Sequence, residues 1–416
     1  MEISKQPLAI NNINRVYSFM KTRHFPRAIK LAILFIVMSL CVGCGIKRNA
    51  LPPEYQDQAS VVGFENIRTF GDELPKNFEA QVATWSEQLS GTVTTADDLS
   101  ILSLSGGGAD GAFGAGILVG WTARGDRPEF FSVTGISTGA LIAPFAFLGK
   151  DYDHLIQEFY TTSSTEDIVR RRFIFSALFG DSFLDTAPLR SALEESITQD
   201  IIVKIAQEHR KGRRLFIGTT DLDAMRPVYW NIGAIAQRGD EEATQLIRSI
   251  VLASASIPTV FPPVYIDVEV DGVKYDEMHV DGGVSNQLFA YPANINLYKL
   301  MQEMGYNNDL SIYVIRNNPL KSKGEIVQPT IRDITAKSMS TLLRYQGIGD
   351  LYKIYNTARR DGVDFNLIFV PSTFQEESDE LFSIDYMTKL FELGRSMAVK
   401  GTPWHKIPPY DFDTTN

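Results

Sequence analysis

Short apolar runs that stop at glycine alternate along this chain with longer amphipathic stretches. Ser100-Ile-Leu-Ser-Leu-Ser105 halts at three glycines and reads as a buried strand. Phe130-Phe-Ser-Val-Thr-Gly135, Leu215-Phe-Ile-Gly-Thr-Thr220, Leu310-Ser-Ile-Tyr-Val-Ile315 and Asn366-Leu-Ile-Phe-Val370 have the same character. Pro227-Val-Tyr-Trp-Asn231 and Met278-His-Val-Asp281 add two more strands, and 264–270 with 273–275 make a hairpin around Asp271-Gly272. Helices are expected near 76–90, 112–123, 140–148, 241–255, 331–360 and 384–398. The stretch 151–211 reads as a helical insertion, in pieces at 152–162, 165–180, 186–197 and 200–211. Strands alternating with helices imply an α/β fold whose mostly parallel sheet is covered on both faces. Ligands of such sheets sit beyond the carboxyl ends of the strands. Three glycine-rich breaks follow strands, at 106–108, 135–139 and 282–283, and are expected to meet at one edge.

The pattern fails at the amino end. Lys21, Arg23, Arg27 and Lys30 precede the apolar run Leu31-Ala-Ile-Leu-Phe-Ile-Val-Met-Ser-Leu40, which meets Cys41-Val-Gly-Cys44. A basic region, a short apolar run and small residues at its end read as a secretory signal over 1–43, too short to span a bilayer. The end resembles a bacterial lipoprotein signal, which implies a lipid anchor on Cys44 in the cell envelope, at the outer membrane. Cys41 departs from the Leu usual there. Residues 44–75 are polar, with Pro52-Pro53, and read as a flexible tether. The core is then expected over 76–320, with a C-terminal helical extension over 321–416. The chain's two cysteines both lie in the signal segment, so no disulfide and no cysteine metal site is expected in the body.

Charge narrows the partners. The net charge is −10. Without residues 1–43, 34 basic residues face 49 acidic ones, a net charge of −15. That argues against nucleic acid and against broad electrostatic adhesion to anionic lipid.

Gly135-Ile-Ser137-Thr-Gly139 lies between an apolar strand and a small-residue helix. A serine on such a turn exposes its hydroxyl at a helix N-terminus, the position of an acyl-transfer nucleophile. Acyl transfer also needs amide donors for an oxyanion. Gly106-Gly107-Gly108 can turn its amides inward, with Gly107 and Gly108 the leading donors. The same stretch fits a dinucleotide fingerprint through Gly106, Gly108 and Gly111, but the next strand ends at Ser137 rather than at an acidic residue. For a base, His154, His209, His279 and His405 are the histidines beyond the signal. His279 and Asp281 share one face of a strand, and Asp281 ends that strand before Gly282-Gly283. Either a histidine or a desolvated carboxylate could serve.

Gly106-Gly-Gly-x-x-Gly111, Gly135-x-Ser137-x-Gly139 and Asp281-Gly-Gly283, in that order, resemble the patatin-like phospholipase family. Ala253-Ser-Ala-Ser-Ile-Pro-Thr-Val-Phe-Pro-Pro263 is similar to a segment such proteins carry before the aspartate. The resemblance covers about 98–290, roughly half the chain. It implies a three-layer α/β/α sandwich and cleavage of acyl esters of phospholipids or related lipids by a Ser–Asp dyad. Carried over, Ser137 is nucleophile, Asp281 base and Gly106, Gly107 and Gly108 the oxyanion hole, with no cofactor and no catalytic metal. Many members have a cation in the glycine loop where this chain has Asp110, which bears on phosphate recognition. A short-chain esterase, a lipid acyltransferase and a silent lipoprotein scaffold are the alternatives. Phe173, Phe175, Leu178, Phe179 and Phe183 could form core or an acyl-binding wall.

Overall fold

The computed structural model describes residues 48–90, 99–171, 182, 184–307, 309–321, 324–378 and 380–409. The chain divides into two units, Met1–Arg48 with Leu178–Gly180, and Asn49–Ala177 with Asp181–Asn416. Of the first, only Arg48 is among the described residues; the expected signal, Cys44, Phe173, Phe175, Leu178, Phe179 and Phe183 lie outside the described residues.

In the second unit, β1 (Ser60–Val61) and β2 (Arg68–Phe70) precede α1 (Phe78–Leu89). β3 (Leu99–Leu104) leads into α2 (Gly111–Arg124), and β4 (Phe130–Ile136) into α3 (Thr138–Leu148). The insertion holds α4 (Asp153–Thr162), α5 (Thr165–Ile168), β5 (Arg170–Arg171), β6 (Leu184–Asp185), α6 (Ala187–Ser196) and α7 (Gln199–Arg210). Next come β7 (Arg214–Asp221), β8 (Arg226–Asn231), α8 (Ile232–Ala236) and α9 (Glu241–Ser254), then the hairpin β9 (Val264–Val270) and β10 (Val273–Asp281). α10 (Leu297–Glu303), β11 (Leu310–Arg316), α11 (Ile331–Asp361), β12 (Asp364–Phe369) and α12 (Ile384–Val399) complete the chain.

Ten strands form one sheet. β12, β11, β3, β4 and β7 are parallel neighbours, and β10, β9, β1, β8 and β2 add antiparallel pairs. Side chains alternate between two cores. Leu102 and Leu104 of β3 point into the larger core, with α2, α3, α9 and α12. Leu99 and Ile101 point into the smaller one, with α1, α10 and α11. The result is an α/β/α sandwich with a mixed, mostly parallel sheet. On the larger side α2 and α12 pack backbone to backbone. A Cβ on Gly116 would collide with the Phe391 carbonyl, and one on Gly394 with the Phe113 carbonyl.

Three sequence expectations need correction. Residues 49–71 are not a flexible tether: β1 pairs with β9, β2 with β8, and Leu51, Val61 and Ile67 are buried. Strands this short carry too few positions for a period to be seen. The helix expected over 165–180 stops at Ile168, where Val169 turns extended to enter β5. The region after 321 is not only helical, because β12 joins the sheet, as its apolar run suggests.

Candidate active site

β7 organises the site. One edge of β7 pairs with β8 along its length. The other edge takes β4 up to Ile136, opposite Gly218, and then β10 from Asp281, opposite Thr219. β4 runs parallel to β7 and β10 antiparallel, so the two strands meet end to end. Ser137 and Asp281, 144 positions apart in sequence numbering, therefore become neighbours.

Ser137 has φ 55° and ψ −123°, a left-handed conformation rare for serine, and its side chain lies close enough to Asp281 to lower that carboxyl's proton affinity. Its flanking glycines are required by packing. A Cβ on Gly135 would sit 2.7 Å from the Gly139 carbonyl carbon, and one on Gly139 2.8 Å from the Ser105 carbonyl oxygen. The strain is held by Ser254, whose Oγ accepts from the Ser137 amide at 2.9 Å and donates to the Gly218 carbonyl at 2.6 Å. Ser256 fixes the partner strand, its carbonyl accepting from the Asp281 amide at 2.9 Å. The segment 253–263 thus ties both halves of the site together.

Asp281 is buried, and its Oδ1 accepts from the Gly283 amide at 2.7 Å. Burial pushes its pKa up to about 7, against the lowering effect of hydrogen bonds from Ser137 and Gly283. His279 lies elsewhere. Trp230 Nε1 donates to Thr219 Oγ1 at 2.8 Å, and Thr219 Oγ1 also shares a hydrogen bond with His279 Nδ1 at 3.0 Å. His279 Nε2 then donates to Glu277 at 3.2 Å, and Glu277 holds Arg68 through both oxygens. Asp221, Glu277 and His279 bring ligand atoms within 4.8 Å of one another. Within that group Glu277 is already paired with Arg68.

The glycine loop lies against this pair. A Cβ on Gly106 would be 3.2 Å from the Ser137 Cβ, and the Gly106 amide donates to the Gln287 carbonyl at 3.4 Å. Gly107 and Gly108 both have positive φ, 156° and 58°, and a Cβ on Gly108 would meet only open space. Among the described residues their amides show no backbone acceptor, so these two can face a ligand. Asn317 fastens the loop, donating from its Nδ2 to the Ser105 carbonyl and accepting from the Gly114 amide. Asp110 is a clamp: it accepts from Asn318 Nδ2 at 2.8 Å and Tyr386 Oη at 2.6 Å, and burial raises its pKa. Arg316 brings a buried guanidinium close to Gly347 and Gln287, and burial lowers its pKa to about 10. Asp350 of α11 accepts from Asn286 Nδ2 and from the Gln287 and Leu288 amides, setting the path after Gly283. A cavity of about 480 Å³ is lined by Trp85, Phe131, Arg214 and Tyr229, and neither Ser137 nor Asp281 lines it.

A family model described as patatin-like phospholipase matches residues 102–294, which hold Ser137, the glycine loop and Asp281. This stretch is a patatin-like phospholipase domain. No curated protein matches the chain. Among solved structures, VipD from Legionella pneumophila is similar with a TM-score of 0.36 and 11% identity, over 73% of this chain and 66% of that one. The patatin-like match stops before β11, yet Arg316, Asn317, Asn318 and Asp350 all brace the site from beyond it. Ser254, Gln287, Asn317 and Asp350 were not singled out by sequence reasoning. Only Ser254 lay in a segment that the resemblance marked.

Proposed function

We propose that the protein is a lipid acyl hydrolase that cleaves carboxylic esters of phospholipids or related lipids through Ser137 and Asp281. One observation carries the reading: the ends of β4 and β10 bring a strained serine up to a buried carboxylate, and burial pushes that carboxylate's pKa up to about 7. A base with a pKa near neutrality both exists ionised and holds the proton it takes.

Asp281 removes the Ser137 proton as Oγ attacks the ester carbonyl. The amides of Gly107 and Gly108 receive the oxyanion, while Gly106, tied to Gln287, shapes the loop. The alcohol or lysolipid leaves with the proton from Asp281. Water then gives its proton to Asp281 and attacks the acyl-enzyme, releasing fatty acid and restoring Ser137. In this reading Cys44 carries a lipid anchor that keeps the enzyme at the cell envelope.

The test incubates the purified protein and its Ser137→Ala variant with mixed phospholipids and follows released fatty acid and lysolipid. A fluorophosphonate should label the parent protein and not the variant. Ser137→Ala should lower turnover by about 10³-fold or more. Undiminished hydrolysis in that variant would end the proposal.

A further inference from the structure

Helix α11 changes character halfway along. Its second half packs through Gly347, Asp350, Leu351, Ile354, Ala358 and Asp361, one face at helical spacing. Its first turns instead expose Ile331, Ile334, Met339, Leu342 and Tyr345, with Ile331 88%, Leu342 65% and Tyr345 66% accessible. At 3.6 residues per turn, Ile331, Ile334, Leu342 and Tyr345 fall within an arc of about 80°. That arc lies on the opposite side of the helix from the buried face. The stripe is therefore not a frayed continuation of the core contact. Ile326 and Val327, just before the helix, are also exposed. The helix start is well defined, since Thr330 Oγ1 accepts from the Asp333 amide at 3.0 Å.

Charge selects the partner. Residues 321–345 carry Lys321, Lys323, Arg332, Lys337 and Arg344 against Glu325 and Asp333, in a chain of net charge −10. A second copy seated on the same stripe would bring like charges together. An anionic lipid surface meets both the apolar stripe and the basic flank. Among the described residues no helix is long and apolar enough to cross a membrane, so the segment would lie along the surface.

We infer that residues 326–345 form a docking surface for an anionic bilayer. The surface ends beside the site. A Cβ on Gly347 would be 2.7 Å from Arg316 Nη1 and 3.0 Å from Gln287 Cβ, and the Gln287 carbonyl holds Gly106. The helix that carries the stripe thus packs its other face beside the site, and docking does not draw on the acidic remainder of the molecule.

The test uses the full chain with Ser137→Ala, so that no lipid is consumed, and Cys41→Ser with Cys44→Ser, so that an introduced thiol is unique. An environment-sensitive fluorophore is placed on Leu342→Cys, and in a separate protein on Ala336→Cys, across the helix. Vesicles of phosphatidylcholine with about 30% phosphatidylglycerol should blue-shift the label at 342 and not at 336. Partitioning onto phosphatidylcholine alone should be about tenfold weaker or more. Ile334→Glu with Tyr345→Glu should weaken it by about tenfold or more. No shift at 342, or equal shifts at both positions, overturns the inference. So does a shift that grows with protein concentration without vesicles, which would assign the stripe to a second copy. The readout needs no ester hydrolysis, so failure of the proposed chemistry and failure of docking are separable.

Discussion

Asp281 keeps its proton far above the usual carboxylate range because burial removes most of the solvation of its charged form, which outweighs the lowering effect of Ser137 and Gly283. The unfolded chain releases that proton near 3.8, the folded one near 7. Between those values the folded state binds the extra proton, so stability falls as pH rises. Above them the buried charge costs on the order of 4 kcal/mol. Asp281→Asn should therefore melt higher than the parent at pH 8, with the gap closing as pH approaches 4. Under the proposed mechanism, ester hydrolysis by the parent should climb through pH 7 as the base ionises. Melting curves at both pH values and a pH–rate profile check this; an Asn variant no more stable at pH 8 would refute the assignment of cost. Residue identity showed where a carboxylate could stand, whereas its proton affinity depends on what packs around it. Asp110 makes the same point: its type suggested a missing cation, and its neighbours Asn318 and Tyr386 make it a clamp.

At the scale of elements, β10 carries both His279 and Asp281, and alternation puts them on one face. Their environments differ because β10 leaves β9 at His279 and reaches the end of β4 at Asp281. His279 is absorbed into the Trp230–Thr219–Glu277–Arg68 chain. His279→Ala should cost about 1–3 kcal/mol of stability by orphaning buried partners. It should leave turnover of a soluble ester within a few-fold of the parent, whereas Asp281→Ala should abolish it. Denaturant titration with initial rates on one p-nitrophenyl ester separates the two. A rate loss as deep as that of Asp281→Ala would restore a histidine triad. Alternation was legible from the sequence, but the partner strand at each position was not, because pairing is chosen by burial summed over distant segments.

Across the whole molecule, the site is braced by chain outside the matched domain. β11 covers the edge of β3, Asn317 fastens the glycine loop and α12 packs through glycines on α2. A chain ending at residue 309 would expose the β3 edge and one side of α2 together. It should be insoluble or lack the cooperative melt of the full chain, which expression with circular dichroism can establish. A soluble, cooperatively folding product would show that the C-terminal segment is an appendage. The sequence already pointed to an apolar strand at 366–370, yet no local signal ties Asn317 to Ser105, since that hydrogen bond joins residues 212 positions apart.

By itself the sequence determined the period of each apolar run, the glycine stops and the residue types able to carry acyl transfer. These are local properties, set by backbone sterics and side-chain spacing. The tertiary structure decided the rest. It set β4 and β10 end to end on one edge of β7, so that Ser137 meets Asp281 rather than His279. It also turned an apolar stripe of α11 away from the core that the same helix packs against. Both outcomes depend on contacts between segments far apart in the chain, where burial and pairing are settled jointly rather than residue by residue.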